Sequence, residues 1–166
     1  MSDVNTARPR VLVADPDPET SALIARQLEW SGYEVTTASN GRDALDLITR
    51  LRPAAAVLEV KMELLTGYDV VRRMRENDRT RLVPVVMISA RAGKLDRDFA
   101  FTVGADEYVK KPFRTADLVA KLAMLVPGGD IKIPPKPQPA PAPARTVSPR
   151  ARRPLPRTMP VPALAR

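Results

Sequence analysis

Short apolar runs alternate along this chain with stretches whose apolar residues recur every three or four positions. The first run is Val11-Leu12-Val13-Ala14, followed by Asp15-Pro16-Asp17-Pro18. Aspartate ahead of proline is a helix-start signal, with Asp17 as the cap and Pro18 in the first turn. The helix so begun is expected to reach about Trp30 and to stop at Ser31-Gly32. Glu34-Val35-Thr36-Thr37-Ala38 reads as a second strand, and Asn40-Gly41 turns the chain into a second helix. There Ala44, Leu47, Ile48 and Leu51 fall on one face. A third helix, from about Gly67 to Glu76, points Val70, Val71 and Met74 inward. Val83 to Ile88 is the fourth strand, with Pro84 near its start, where a missing donor matters least. Leu95, Phe99 and Val103 mark a fourth helix that ends at Gly104; Glu107 to Lys110 is a fifth strand. Leu118, Leu122 and Leu125 line the last helix, which Pro127-Gly128-Gly129 stops.

The third strand organises the rest. Ala54-Ala55-Ala56-Val57-Leu58 is continuously apolar, follows the helix-closing Pro53, and ends in Glu59. A run without polar alternation suits a strand covered on both faces, hence a parallel sheet. Five strands alternating with five helices through short connections predict an α/β fold: a doubly wound, five-stranded parallel sheet of the flavodoxin-like kind. In such sheets, sites form beyond the carboxyl ends of the strands. Glu59 lies there, as do Asp15 and Asp17 after the first strand.

Composition narrows the chemistry. With no cysteine and no histidine, the chain has no thiolate, disulfide, imidazole base or imidazole metal ligand. It has no apolar run of signal-peptide or membrane-spanning length, so we expect a cytoplasmic location and no membrane insertion. The net charge of +8 is unevenly spread. Residues 1–126 hold 19 Lys and Arg against 18 Asp and Glu, whereas residues 127–166 hold 8 against Asp130 alone, with 12 of the 18 prolines. We therefore divide the chain into an arm (1–7), a folded domain (8–127) and a disordered Pro/Arg-rich basic tail (128–166). The alternation from Pro137 to Pro143 favours extended polyproline geometry. The tail contains no aromatic residue to stack on bases, so nucleic acid is not expected as a partner.

Across about residues 8–127 these features resemble the receiver domain of bacterial response regulators, the phosphorelay modules of two-component systems. The resemblance is closest over Gly104-Ala105-Asp106-Glu107-Tyr108-Val109-Lys110-Lys111-Pro112-Phe113. It implies a phosphoacceptor after the third strand, and an acidic pair after the first that helps hold Mg²⁺. It further implies a hydroxyl residue after the fourth strand, and a lysine before a cis proline after the fifth. Asp15, Ser89, Lys111 and Pro112 match these positions, and Tyr108 matches the aromatic residue that changes rotamer on activation. Glu59 stands where the family has its acceptor aspartate, and Pro16 stands at the second acidic position. The resemblance implies that any metal would fall to Asp15 and Glu59; with an acidic ligand lost, no cofactor is expected.

A non-enzymatic signalling module follows, independent of phosphorylation and working through contacts with a sensor histidine kinase or a downstream effector. A homodimer through the face formed by helix 4, strand 5 and helix 5 is one such contact. Two alternatives stay open: slow phosphoryl transfer to Glu59, and binding of nucleic acid or anionic surfaces by the tail. Structural roles also stay open, with Asp17 purely as a cap, Asp15 in an ion pair with Lys111, and Ser89 satisfying local backbone. Lys61 and Arg91, each two residues beyond a site position, border the pocket. Lys61 is a candidate built-in cation in place of the metal.

Overall fold

The computed structural model describes residues 7–91, 93–126 and 132, all within the compact unit Met1–Lys136. The disorder expected of the tail concerns residues that, Lys132 apart, lie outside this set. Ten elements follow in strict alternation: β1 (Arg10–Ala14), α1 (Pro18–Trp30), β2 (Glu34–Ala38), α2 (Gly41–Leu51), β3 (Ala55–Glu59), α3 (Gly67–Glu76), β4 (Val85–Ser89), α4 (Lys94–Val103), β5 (Glu107–Lys110) and α5 (Thr115–Leu125). The sheet is wholly parallel, in the order β2-β1-β3-β4-β5. The chain thus winds outward in both directions from β1 and β3. A crevice opens at their carboxyl ends because the connections there leave to opposite sides.

Side-chain alternation splits the core into two layers. Val11, Val13, Ala55, Val57, Val86 and Ile88 pack on α1 and α5, through Ile24, Leu28, Leu118 and Leu122. Leu12, Ala14, Ala56, Leu58, Val85 and Met87 pack on α2, α3 and α4, through Ile48, Val70, Val71, Met74 and Ala100. The apolar residues of β1, β3 and β4 named here are fully buried, as continuous apolar runs require of central strands.

The helix starts follow local chemistry. The Asp17 carboxylate accepts the Glu19 and Thr20 amides ahead of α1, and Asn40 Oδ1 accepts the Asp43 amide at 2.9 Å ahead of α2. Thr66 and Asp69 form a reciprocal capping box at α3. Two expectations need correction. The strand expected from Val83 begins at Val85: Pro84 has no N–H to give, and its carbonyl accepts the Ala56 amide at 2.9 Å. In α4, Leu95 and Phe99 do not face the core, being 83% and 52% exposed. In its first two turns the inward face lies one position later, at Asp96 and the buried Ala100, while Val103 packs against the core as expected. Ala100 is small enough for close approach, and Phe99 instead sets its ring edge-on against Tyr68, 4.8 Å between centroids.

Arg75 fastens the amino edge of the sheet. Its guanidinium donates to the carbonyls of Gly104, Arg81 and Val83 and to the Asp106 carboxylate. The same carboxylate accepts the Val85 amide at 2.8 Å. One side chain on α3 therefore ties together the connections entering β4 and β5.

Candidate functional site

The register sets the site. Ala14 pairs with Leu58, Glu59 with Ile88, and Ser89 with Lys110. Asp15, Glu59, Ser89 and Lys111 consequently reach the same edge of the sheet. Gly67 lets α3 begin directly against this edge. A Cβ at that position would stand 2.4 Å from the Glu59 carbonyl oxygen, and the Gly67 amide donates to the Val60 carbonyl at 2.9 Å.

At the centre, the Lys111 ammonium lies 2.6 Å from Asp15 Oδ2 and 2.6 Å from Glu59 Oε2. Both carboxylates are buried, at 2% and 6% exposure, whereas the lysine side chain keeps 24%. The other carboxylate oxygens are also engaged. Asp15 Oδ1 accepts the Asp17 amide at 2.9 Å, and Glu59 Oε1 accepts the Lys61 amide at 3.0 Å. Burial alone would push the lysine down. The hydrogen bonds and charges of Asp15 and Glu59 outweigh it and hold Lys111 above the ordinary lysine value. This is a charge-assisted triad with one ammonium shared between two carboxylates.

The remaining candidates arrange themselves around the triad. Ser89 is buried, and its Oγ accepts the Arg91 amide at 3.1 Å. Tyr108 is also buried, and its hydroxyl donates to the Arg91 carbonyl at 2.8 Å. Arg91 therefore enters the site through its backbone, while its side chain is 79% exposed and 3.9 Å from Asp96. The Lys111–Pro112 peptide is cis.

Asp17 lines the cleft but acts as the α1 cap. Its bonds to the Thr20 hydroxyl and amide hold its carboxyl below the usual aspartate range. Lys61 and Arg91 do border the cleft, of about 610 Å³. The expectation that Lys61 supplies the neutralising cation is not met. Lys61 is exposed and forms no ion pair among the described residues, and Lys111 already reaches both carboxylates. Tyr68, not singled out from sequence, also lines the cleft. Its hydroxyl donates to the Asp96 carbonyl at 3.4 Å, bridging α3 and α4. An aromatic residue in the first turn of the helix after the acceptor loop is the sequence signal that marks it.

The family model of the response regulator receiver domain matches residues 11–123. The chain belongs to the response regulator receiver family. Over 124 residues it is 43% identical to the transcriptional regulatory protein PrrA of Mycobacterium tuberculosis, covering 75% of this chain and 52% of that one. It is 34% identical over 118 residues to the DNA-binding dual master transcriptional regulator RpaA of Synechocystis, covering 71% and 49%. The chain thus spans about half the length of these curated relatives. Among solved structures it resembles the receiver domain of Francisella response regulator 1452 (TM-score 0.68, 28% identity, 72% of this chain and 97% of that one). It likewise resembles the receiver domain of the sensor histidine kinase PA1611 of Pseudomonas aeruginosa, with magnesium in its active-site cleft (TM-score 0.68, 28%, 72% and 98%). PrrA and RpaA are named as transcriptional regulators, RpaA as a DNA-binding one. No helix among the described residues is long and apolar enough to cross a membrane.

The receiver's own residues provide the test of a Mg²⁺ site. Pro16 carries no side-chain ligand atom, Asp17 is committed to the α1 cap, and all four oxygens of Asp15 and Glu59 are already engaged by N–H donors or the Lys111 ammonium. Among the described residues no group of three or more acidic side chains converges on one point. The donor set as arranged does not fit a divalent ion.

Proposed function

We propose that this receiver signals through protein contacts without being phosphorylated and without Mg²⁺. The observation that carries the reading is the Glu59 carboxylate, 2.6 Å from the Lys111 ammonium that also holds Asp15. A glutamate extends one methylene further than the family's aspartate. That displacement matters for chemistry resting on in-line placement, where about 1 Å can cost about a hundredfold in rate. It also places negative charge further into the cleft, toward Lys111 and Ser89. The charge partly imitates a phosphorylated aspartate and biases α4, β5 and α5 toward one conformation. The buried Tyr108 ring, anchored to the Arg91 carbonyl, supports this reading. The partner is a downstream effector or a sensor kinase. Control of transcription, the role named for the relatives, is reached through that partner.

Incubation with acetyl phosphate and Mg²⁺, followed by intact-mass measurement, tests the proposal. The expected mass is unchanged; a stoichiometric phosphate adduct at Glu59 overturns it. In parallel, Glu59→Gln is expected to keep the fold and weaken binding to a partner recovered with the wild-type chain.

A further inference from the structure

The sheet edge opposite Glu59 carries a feature that this reading does not use. The connection from α3 to β4 is fixed at many points. Buried Thr80 donates through its hydroxyl to the Met74 carbonyl at 2.9 Å, and the Asn77 carbonyl accepts the Thr80 and Arg81 amides at 3.0 and 2.9 Å. Asn77 Oδ1 accepts the Arg79 amide at 3.0 Å, and the Val83 amide donates to the Thr80 carbonyl at 3.0 Å. Arg75 holds the Arg81 and Val83 carbonyls from the helix side. A segment so constrained has little conformational freedom left to lose on binding.

This rigid connection displays Leu82, at 86% the most exposed large apolar side chain among the described residues. Two arginines, Arg79 and Arg81, precede Leu82. Arg79 has no ion-pair partner among the described residues, and Arg81 is 3.4 Å from Asp78, itself 92% exposed. Such a pair adds little at the surface and leaves the guanidinium available. The connection entering the adjacent strand β3 adds Arg52. It caps α2 with φ 47° and ψ 62°, a left-handed conformation that glycine or asparagine adopts more readily. Arg52 is exposed and likewise unpaired among the described residues.

We propose that this amino edge is a docking surface for an acidic segment of a partner protein that carries an apolar side chain. Arg52, Arg79 and Arg81 supply the charge to be met, and Leu82 supplies the apolar contact, the pairing of residue types through which interfaces gain affinity and register. A second copy of this chain is a poor occupant, because it brings the same arginines. A nucleic acid leaves Leu82 without a partner and finds no aromatic residue in residues 77–84 for stacking. The surface is independent of the state of Glu59, at the other edge of the sheet.

The test is an NMR titration of the ¹⁵N-labelled full chain with a peptide of repeated Glu-Glu-Leu triplets. The same titration is run with a Glu-Glu-Ser counterpart and with a short DNA duplex. Shifts are expected to cluster at Arg52 and residues 78–83, and the Ser peptide and the duplex bind there more weakly. The Arg79→Glu/Arg81→Glu chain is expected to lose about tenfold or more in affinity, and Leu82→Ser to lose the preference for the Leu peptide. Shifts centred elsewhere, tighter binding of the duplex at these residues, or unchanged affinity in the double variant overturns the proposal.

Discussion

Replacing Lys111 with methionine removes the single cation that two buried carboxylates share, while keeping a side chain of similar length. Breaking a buried ion pair by deleting one partner typically costs about 3–5 kcal/mol, because the remaining charge is stranded. Here two charges are stranded. The lysine side chain is 24% exposed, so water screens part of the effect, and we expect a loss of about 2–4 kcal/mol. For a domain of this size that lowers the melting temperature by roughly 8–15 °C, measured by circular dichroism at neutral pH. A second substitution makes the test specific. Lys111→Met/Glu59→Gln strands one carboxylate instead of two, so it should recover part of the loss and be more stable than Lys111→Met alone. A cost below about 1 kcal/mol for the single variant refutes the triad as a stabilising unit. So does a double variant no better than the single one, because the damage would then come from lost packing.

Three other outcomes follow from the same geometry. The wild-type melting temperature is expected to stay constant on addition of millimolar Mg²⁺; a specific site at about a hundred times its dissociation constant would add about 2.7 kcal/mol, a visible shift. Lys111 is held above its unfolded value, so its contribution is complete below about pH 10.4 and fades as pH rises through the folded value. Wild type and Lys111→Met should therefore converge in stability at strongly alkaline pH, and parallel urea titrations check this. Gly67→Ala drives a Cβ to 2.4 Å from the Glu59 carbonyl oxygen, backbone that cannot swing aside, so we expect a loss of about 2–4 kcal/mol and shifted amide resonances at Glu59, Val60 and Lys61. An unperturbed Gly67→Ala spectrum would contradict the close packing of α3 on the site.

Much of this protein was legible from local pattern. Asp17-Pro18 and Asn40-Gly41 mark helix starts because capping depends on a few adjacent atoms, and both hold. The bare apolar run ending at Glu59 marks a central parallel strand because only burial on both faces removes polar alternation. The family motif around Lys111-Pro112 brings Asp15, Glu59, Ser89 and Lys111 to one edge before any coordinate is known. What remained undecided depended on distances between residues far apart in the chain. Both Lys61 and Lys111 are lysines near two carboxylates, and spacing does not say which ammonium arrives; the register of β1, β3 and β5 delivers Lys111 to both. The stripe on α4 held only at Val103 for the same reason: Leu95 and Phe99 have correct helical spacing, but the close approach that Ala100 permits, together with the Tyr68 ring, goes with their turning outward. Arg91 was placed at the pocket border by its position two residues beyond Ser89, and there the fold uses its amide and carbonyl, held by Ser89 and Tyr108. Side-chain chemistry is written in the sequence; which atom of a residue meets which partner is set only when the sheet closes.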